Sequence, residues 1–557
     1  MQTGSTTIRR VFDSSVIFNI PIYQRAYSWE KEKQLKDFFN DILTQHPEKK
    51  YFLGTYLFHV REEQGDFQII DVIDGQQRLT TFVIFMKELI DRLIQGGASE
   101  VSERTRRIYL KDGDVYKIKL SNEDSSFLHQ HILEDHPVTS NGLQTPSQRL
   151  LLSAKQFFKD SLQKCDLNTL NKLYQTAVQA EVLLYVVEEI QAATQIFELL
   201  NDRGKRLTDL ESLKSFLMHN IGIVSEHPNQ MINDIQHQFA EIYRMIERHQ
   251  LNDDDVLRYH TLAFEKEFEL SAKEYIKKKV AERMGAGQYE EAKHLMISYA
   301  RNLKRSFELF ASILKNEDNV QALRDLTMIG RIAPFYPYLM YAKHESNQEF
   351  VRLAQALVKF NFRAVLANLR SNAGESYMQT AHKEGRNLAD RIEQFCAENW
   401  WNMNRRAKDN LKYSSQYESM NRNLVKYILF KYENHLRFIK GFPPLELEHY
   451  FNDSAREKLS IEHITAQRVR GITLDEDFRE NYMHNLGNLV IDTAASNSSK
   501  GNKVPDQKLS AYLRAPIMSQ NEIDDFSCDW SDLASIKRMI DARKQVIDDF
   551  ITVQFEL

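Results

Sequence analysis

Val72-Ile73-Asp74-Gly75-Gln76-Gln77-Arg78-Leu79-Thr80-Thr81 reads as a strand, a tight turn and the start of a helix. The β-branched pair Val72-Ile73 suits a strand, and Asp74-Gly75 supplies the turn. Gln76, Gln77 and Arg78 then present side-chain donors beside backbone N–H groups that have no partner within the first helical turn. Such a helix start is a ready phosphate site, and Thr80 or Thr81 can add a hydroxyl.

Two segments upstream and one downstream extend this reading. Ile20-Pro21-Ile22-Tyr23-Gln24-Arg25-Ala26-Tyr27-Ser28-Trp29-Glu30 and Tyr51-Phe52-Leu53-Gly54-Thr55 precede the turn. Downstream, Ile196-Phe197-Glu198-Leu199-Leu200-Asn201-Asp202-Arg203-Gly204-Lys205-Arg206-Leu207-Thr208-Asp209-Leu210 is a helix end followed by a new helix that Thr208 or Asp209 can cap. Arg203, Lys205 and Lys214 place cations near that turn; a capped helical hairpin with solvated charges is the plainer alternative. No GxxxxGK[ST] loop occurs, so phosphate binding of the P-loop type is excluded.

The chain of 557 residues has room for two to four domains. Glycine (19) and proline (11) fall well below their usual shares of about 7% and 5%, which predicts long helices. The net charge of −5 means that any nucleic-acid surface must be a local patch. Cys165, Cys396 and Cys528 are too dispersed for a zinc site or a disulfide framework, which fits a reducing compartment. The polar start Met1–Arg10 has no signal-peptide core. The longest apolar runs, such as Phe82–Met86 and Val182–Val187, are far short of the ~20 residues that span a membrane. The cytoplasm is the expected location.

Hydrophobic periodicity predicts an α+β, predominantly helical protein in three regions. Residues 1–220 mix strands (Tyr51–Val60, Phe67–Ile73, Val182–Val187) with helices over Leu79–Leu93 and Glu188–Leu200. The charged stretch 94–146 reads as an irregular or mobile excursion. Residues 221–440 read as a helical connector, with helices over Val256–Met284, Tyr289–Lys315 and Asn347–Leu369. Residues 441–557 open after the breaker cluster Gly441-Phe442-Pro443-Pro444 and carry strands at Ser460–Ile464 and Asn488–Ile491.

That last region holds the densest chemistry: Ile461-Glu462-His463-Ile464, then Asn485-Leu486-Gly487-Asn488-Leu489-Val490, then Ser496-Asn497-Ser498-Ser499-Lys500-Gly501-Asn502-Lys503. A neutral histidine can take a proton from water. Carboxylate and amide oxygens can hold a divalent cation, and a lysine can offset phosphate charge. Adjacent strand residues face opposite ways, so Glu462 and His463 share a site only if the strand ends or bulges there. Just upstream, Arg405–Lys440 carries nine basic residues against three acidic ones, with Tyr413, Tyr417, Tyr427 and Tyr432 among them. Arg405, Arg406 and Lys426 are the candidate DNA contacts, while a solvated helix with buried tyrosines explains the pattern equally well. Trp400-Trp401 reads as core or as an aromatic pocket for a flipped base.

The order strand with Glu-His, loop, strand with Asn, polar turn and helix resembles the ββα-metal, or HNH, nuclease module. By that resemblance His463 matches the general base, Glu462 a metal ligand, Asn488 the asparagine bracing the loop, Asn497 a second metal ligand, and Lys500 or Lys503 a phosphate contact. The proline common after the histidine is absent from Ile464-Thr465-Ala466-Gln467. The N-terminal motifs resemble the GmrSD-type modification-dependent (type IV) restriction endonucleases, whose N-terminal half is related to the ParB/sulfiredoxin-like fold and whose companion domain is HNH. The resemblance covers both ends of the chain and omits the helical middle.

It implies an anti-phage enzyme that binds and hydrolyses a nucleoside triphosphate and cuts DNA, typically modified phage DNA, with Mg or Mn. It places Asp74, Gly75, Gln76, Gln77 and Arg78 along the nucleotide, with Gln24, Arg25, Arg203 and Lys205 as neighbours. A homo-oligomer is compatible with it. The alternative, supported by the missing proline, is a sensing NTPase or DNA-binding scaffold with a degenerate nuclease module.

Overall fold

The apolar runs beside the Asp-Gly turn suit strands covered on both faces. The computed structural model describes residues 3–557 except 14, 46–49, 99–100, 102, 122, 139–142, 144, 191, 194–195, 197–207, 226–227, 413–416, 418–419, 421, 446–457 and 469–472. It is α+β and predominantly helical, and divides into two compact units, Met1–Ala311 and Ser312–Leu557. The division falls inside the helical stretch 221–440.

The strands of the first unit are, in chain order, β1 (Gly4–Thr7), β2 (Val16–Asn19), β3 (Phe52–Gln64), β4 (Phe67–Asp74), β5 (Lys111–Asp112), β6 (Val115–Tyr116), β7 (Ile118–Lys119) and β8 (Glu181–Val187). β5 and β6 pair with each other. The other six form one mixed sheet ordered β1-β8-β3-β4-β2-β7. β3 pairs antiparallel with β4 and parallel with β8. The helix Gln76–Gln95 follows β4 directly and is buried over most of its length. Leu79, Phe82, Phe85 and Leu89 share one core with Tyr56, Phe58, Ile70 and Val72 of the sheet. Each fully buried phenylalanine there stabilises the unit by about 2–3 kcal/mol.

Two expectations need correction. The stretch 94–146 is not simply an irregular excursion: its described part forms the helix Glu103–Tyr109, the edge strand β7 and the segment Leu128–Leu133. Tyr109, Leu110, Ile118, Leu128 and Ile132 enter the main core, because apolar residues spaced among the charges find a common inner side. The single helix expected over Val256–Met284 is broken. Lys266 adopts a left-handed φ of 52°, and Ser271 starts a new helix, Ala272–Gly285, through a capping box with Glu274. Most of Glu188–Leu200 lies outside the described residues.

In the second unit β9 (Leu459–His463) pairs antiparallel with β10 (Leu489–Thr493), with His463 opposite Leu489 and Glu462 opposite Val490. The short helix Ala494–Lys500 follows β10 at once, capped by the Thr493 hydroxyl. Ile464, Val490, Tyr512, Ile536 and Ile540 form the core beside this hairpin. Among the described residues no helix is long and apolar enough to cross a membrane.

Candidate functional site

In the first unit β4 ends at Asp74 and Gly75 turns the chain with φ +92°. A Cβ there would lie 2.4 Å from the Tyr56 ring, so both backbone angle and space demand glycine. The helix then begins, and the first turn closes with Leu79 N–H donating to Gly75 O at 2.9 Å. The amides of Gln76, Gln77 and Arg78 precede any intrahelical acceptor. Arg78 lies across Gly54, whose φ is +114° and whose absent Cβ would sit 1.8 Å from Arg78 Nη1. Arg78 Nη2 donates to Thr55 O at 2.7 Å and stands 3.9 Å from Asp74 Oδ2, with the guanidinium 5.3 Å from the Tyr56 ring centre. Burial raises the Asp74 carboxyl above its usual range, and Arg78 opposes the rise.

The glutamines of the motif brace it. Gln77 accepts from Ser28 N–H at 2.9 Å and donates to Ala26 O at 3.0 Å. Gln24 donates to Ile73 O at 2.8 Å and accepts from Gln76 Nε2 at 3.3 Å. These bonds tie the 20–30 segment to the turn. Arg25 forms an ion pair with Glu211 at 3.2 Å and remains 38% exposed. Thr208 and Glu211 form a capping box at the start of the helix Asp209–Val224. Lys214 is buried, donates to Tyr23 O at 2.8 Å and lies 5.3 Å from the ring centres of Tyr23 and Tyr243. Burial pushes its ammonium down to about 8, against the pull of Glu211. Arg203 and Lys205 lie outside the described residues. The seat of Arg78 on Gly54 was not part of the sequence reading; Gly54 inside an apolar strand was its only signal.

In the second unit Asn488 pins the loop after β9. Its Oδ1 accepts from Thr465 N–H at 2.8 Å, and its Nδ2 donates to Thr465 O at 3.1 Å and Met483 O at 2.8 Å. Its backbone oxygen accepts from Ile464 N–H at 2.9 Å. The turn before β10 is held from behind. A Cβ on Gly487 would lie 1.9 Å from Ile540 O, and buried Arg543 donates through Nη1 to Gly487 O at 3.0 Å and Leu489 O at 2.7 Å. Both partners belong to the helix Leu533–Gln554.

Glu462 and His463 occupy opposite faces, as a regular strand requires. Glu462 is buried and accepts from Lys508 Nζ at 2.7 Å and Tyr512 OH at 3.0 Å. Burial raises its carboxyl, and Lys508 opposes the rise. Lys500, expected to meet phosphate, is buried and donates to Asp492 at 2.7 Å and Gln520 at 2.9 Å, while Lys503 is exposed. Asn497 Nδ2 donates to Ser460 Oγ at 2.9 Å and Ile461 O at 3.1 Å, bonds that do not consume its Oδ1.

His463 meets residues that the sequence reading did not select. Its Nε2 lies 3.3 Å from His484 Nδ1. Tyr417 packs edge-on against His463 with ring centres 4.9 Å apart, and stacks on His484 at 5.5 Å. Burial, His484 and Lys508 push the His463 imidazole down to about 3. The expected ligand pair Glu462 and Asn497 therefore fits a cation poorly at Glu462, whose contacted oxygen is bound by an ammonium and a hydroxyl. Among the described residues no group of three or more His, Cys, Asp or Glu side chains gathers as a ligand set.

The basic stretch divides. On the helix Met403–Lys412, Arg405, Arg406, Lys408 and Lys412 are exposed while Met403, Ala407 and Leu411 face inward. On the helix Arg422–Ile439, Lys431 pairs with Asp325, Arg437 pairs with Glu433, and Tyr427 and Tyr432 are buried. Lys426 is half-buried, which lowers its ammonium. Trp400 and Trp401 are not core: they are 43% and 49% exposed, and Trp401 has a left-handed φ of 52°.

Comparison with known families follows the same division. Residues 8–218 match the N-terminal domain of GmrSD restriction endonucleases, and residues 401–542 match the C-terminal domain. The second match takes in Trp401, the basic helix Met403–Lys412 and the β9–β10 hairpin. No curated protein matches the chain. With both domains matched, in this order, the chain belongs to the GmrSD-type restriction endonuclease family.

Proposed function

We propose that the chain is a metal-dependent DNA endonuclease of antiviral defence that cuts on the His463 face of the β9–β10 hairpin and answers to nucleoside triphosphate at the Asp74–Arg78 turn. The observation that carries this reading is the fixed hairpin: Asn488 locks the loop, and His463 is held against His484 and Tyr417. In the first unit the opening amides of the Gln76–Gln95 helix and the Arg78 guanidinium supply donors for triphosphate oxygens. In the second unit a divalent cation, Mg or Mn by the family resemblance, would supply charge relief at the scissile phosphate. Lys503 and the exposed residues Arg405 and Arg406 offer positive charge to the DNA backbone. Phage DNA with modified bases is the proposed target, and the exposed tryptophan pair is a surface on which an extruded base can stack.

The test incubates modified and unmodified phage DNA with the protein, varying nucleotide and metal. His463→Ala is expected to lower the cutting rate by about 10²–10⁴-fold. A second reading, a sensing NTPase or DNA-binding scaffold with a degenerate nuclease module, draws support from the engagement of Glu462 by Lys508 and Tyr512. Equally poor cutting by wild type and His463→Ala, with nucleotide turnover intact, would favour the NTPase form of that reading.

A further inference from the structure

We propose that His484 is a positioning residue for His463: its Nδ1 accepts the hydrogen of His463 Nε2, which leaves the lone pair on His463 Nδ1 for the proton of the attacking water. The proposal rests on the endonuclease reading and names a residue through which the proposed base acts.

A neutral imidazole is a base only at the nitrogen that carries no hydrogen, and the bond made by one ring nitrogen decides which that is. His463 Nε2 lies 3.3 Å from His484 Nδ1, and only one hydrogen fits between them. If His484 supplied it, the single hydrogen of His463 would sit on Nδ1 and leave that atom no lone pair. If His463 supplies it, Nδ1 is open. Among the described residues the His463 ring makes no other hydrogen bond, so Nδ1 is the nitrogen left for a water. In the step itself the water proton passes to Nδ1, the water oxygen bonds to phosphorus, and the bond from phosphorus to the leaving oxygen breaks. The leaving oxygen takes its proton from solvent. The imidazolium that results still donates from Nε2 to His484, so the pairing survives the proton transfer.

The backbone sets this spacing before any substrate arrives. Asn488 ties the residues beside both histidines: its backbone oxygen accepts from Ile464 N–H at 2.9 Å, and its Nδ2 donates to Met483 O at 2.8 Å. Lys508 Nζ donates to His463 O at 3.0 Å, and Tyr417 N–H donates to His484 O at 3.0 Å. The Tyr417 ring stacks on His484 and meets His463 edge-on. With the main chain held, the freedom left to His463 is a half-turn of its ring, which would put carbon where each nitrogen stood. The bond to His484 opposes that half-turn. At 8% and 9% exposure the pair is largely shielded from water that would compete for the bond.

The experiment measures single-turnover cutting of phage DNA by the full chain, with nucleotide and Mg²⁺ or Mn²⁺ present, for wild type, His484→Phe and His484→Asn. Phenylalanine keeps an aromatic ring on Tyr417 and removes the acceptor, whereas asparagine removes the ring and keeps an oxygen near the place of Nδ1. His484→Phe is expected to lower the cutting rate about tenfold or more, with the DNA concentration for half-saturation unchanged. His484→Asn should recover most of that loss. A residue that only packs would give the reverse order, and that order overturns the proposal. Because a variant can fail to fold, NMR of wild type labelled with ¹⁵N-histidine reads the same bond directly, with His463→Ala to assign the ring. Hydrogen on His463 Nε2 and none on Nδ1 supports the proposal, and hydrogen on Nδ1 overturns it. Wild type that cuts no DNA removes the endonuclease reading, and this role with it. Wild type that cuts, with His484→Phe as its equal, removes the role alone.

Discussion

The Asp74–Arg78 turn and the β9–β10 hairpin are built alike and offer opposite chemistry. In each, a strand leads quickly to a helix, a glycine permits a close approach, and side-chain amides are spent on holding backbone. The turn gathers donors, the helix-start amides and the Arg78 guanidinium, one of whose nitrogens already donates to Thr55 O. The hairpin sets two imidazoles in hydrogen-bond contact, with His463 Nε2 3.3 Å from His484 Nδ1. A seat of donors suits an anion, whereas a hydrogen-bonded imidazole pair suits proton transfer. Under the proposed function, the same economy of strand, turn and helix serves a triphosphate in one unit and DNA cleavage in the other. The residues that do not touch ligand decide which.

The contrast can be broken most sharply at Asn488. Asn488→Ala strands one N–H and two carbonyls in a buried loop, and is expected to cost about 3 kcal/mol or more in the second unit, read by urea unfolding. Nucleotide affinity should not change. A loss below ~1 kcal/mol would remove Asn488 as the lock of the hairpin. Arg78→Ala should weaken binding of a non-hydrolysable triphosphate by about 10–100-fold by calorimetry, as expected for a charged hydrogen bond. Arg78→Lys should rescue little, since a lysine cannot reproduce the planar fork held between Gly54 and Tyr56. Unchanged affinity in Arg78→Ala would move the triphosphate away from this turn.

The smallest expected effect concerns pH. Burial pushes the Lys214 ammonium down to about 8 from its ordinary value of 10.5, so between those values the unfolded chain binds more protons. Stability of the first unit should therefore rise as pH increases through that window, by roughly 1 kcal/mol per pH unit from this group. Lys214→Met should flatten that part of the profile while the second unit keeps its own. Identical slopes in wild type and variant would show that Lys214 is not the buried cation described.

Much of the scaffold was legible in the sequence because it rests on short-range rules. Strand runs around Tyr51–Val60, Phe67–Ile73 and Ser460–Ile464 follow from β-branched and aromatic residues bounded by turn formers. The opposite faces of Glu462 and His463 follow from the pleat alone. What was hidden depends on closure across the fold. His484 lies 21 residues from His463 and meets it only once the loop has folded back. Lys508 and Tyr512 reach Glu462 from a later helix, so an acidic residue that looked available for metal is already engaged. The bracing role of Gln24 and Gln77 was equally hidden, since an amide that binds a ligand and one that binds backbone are spelled the same way.

The hold of Arg543 and Ile540 on the Gly487 turn has a consequence in time. A ribosome delivers residues 459–493 before it delivers the helix Leu533–Gln554 that clasps them. Until that helix arrives and docks, the turn between His484 and Leu489 lacks its rear support. The hairpin turn is therefore among the last features of the second unit to gain its support.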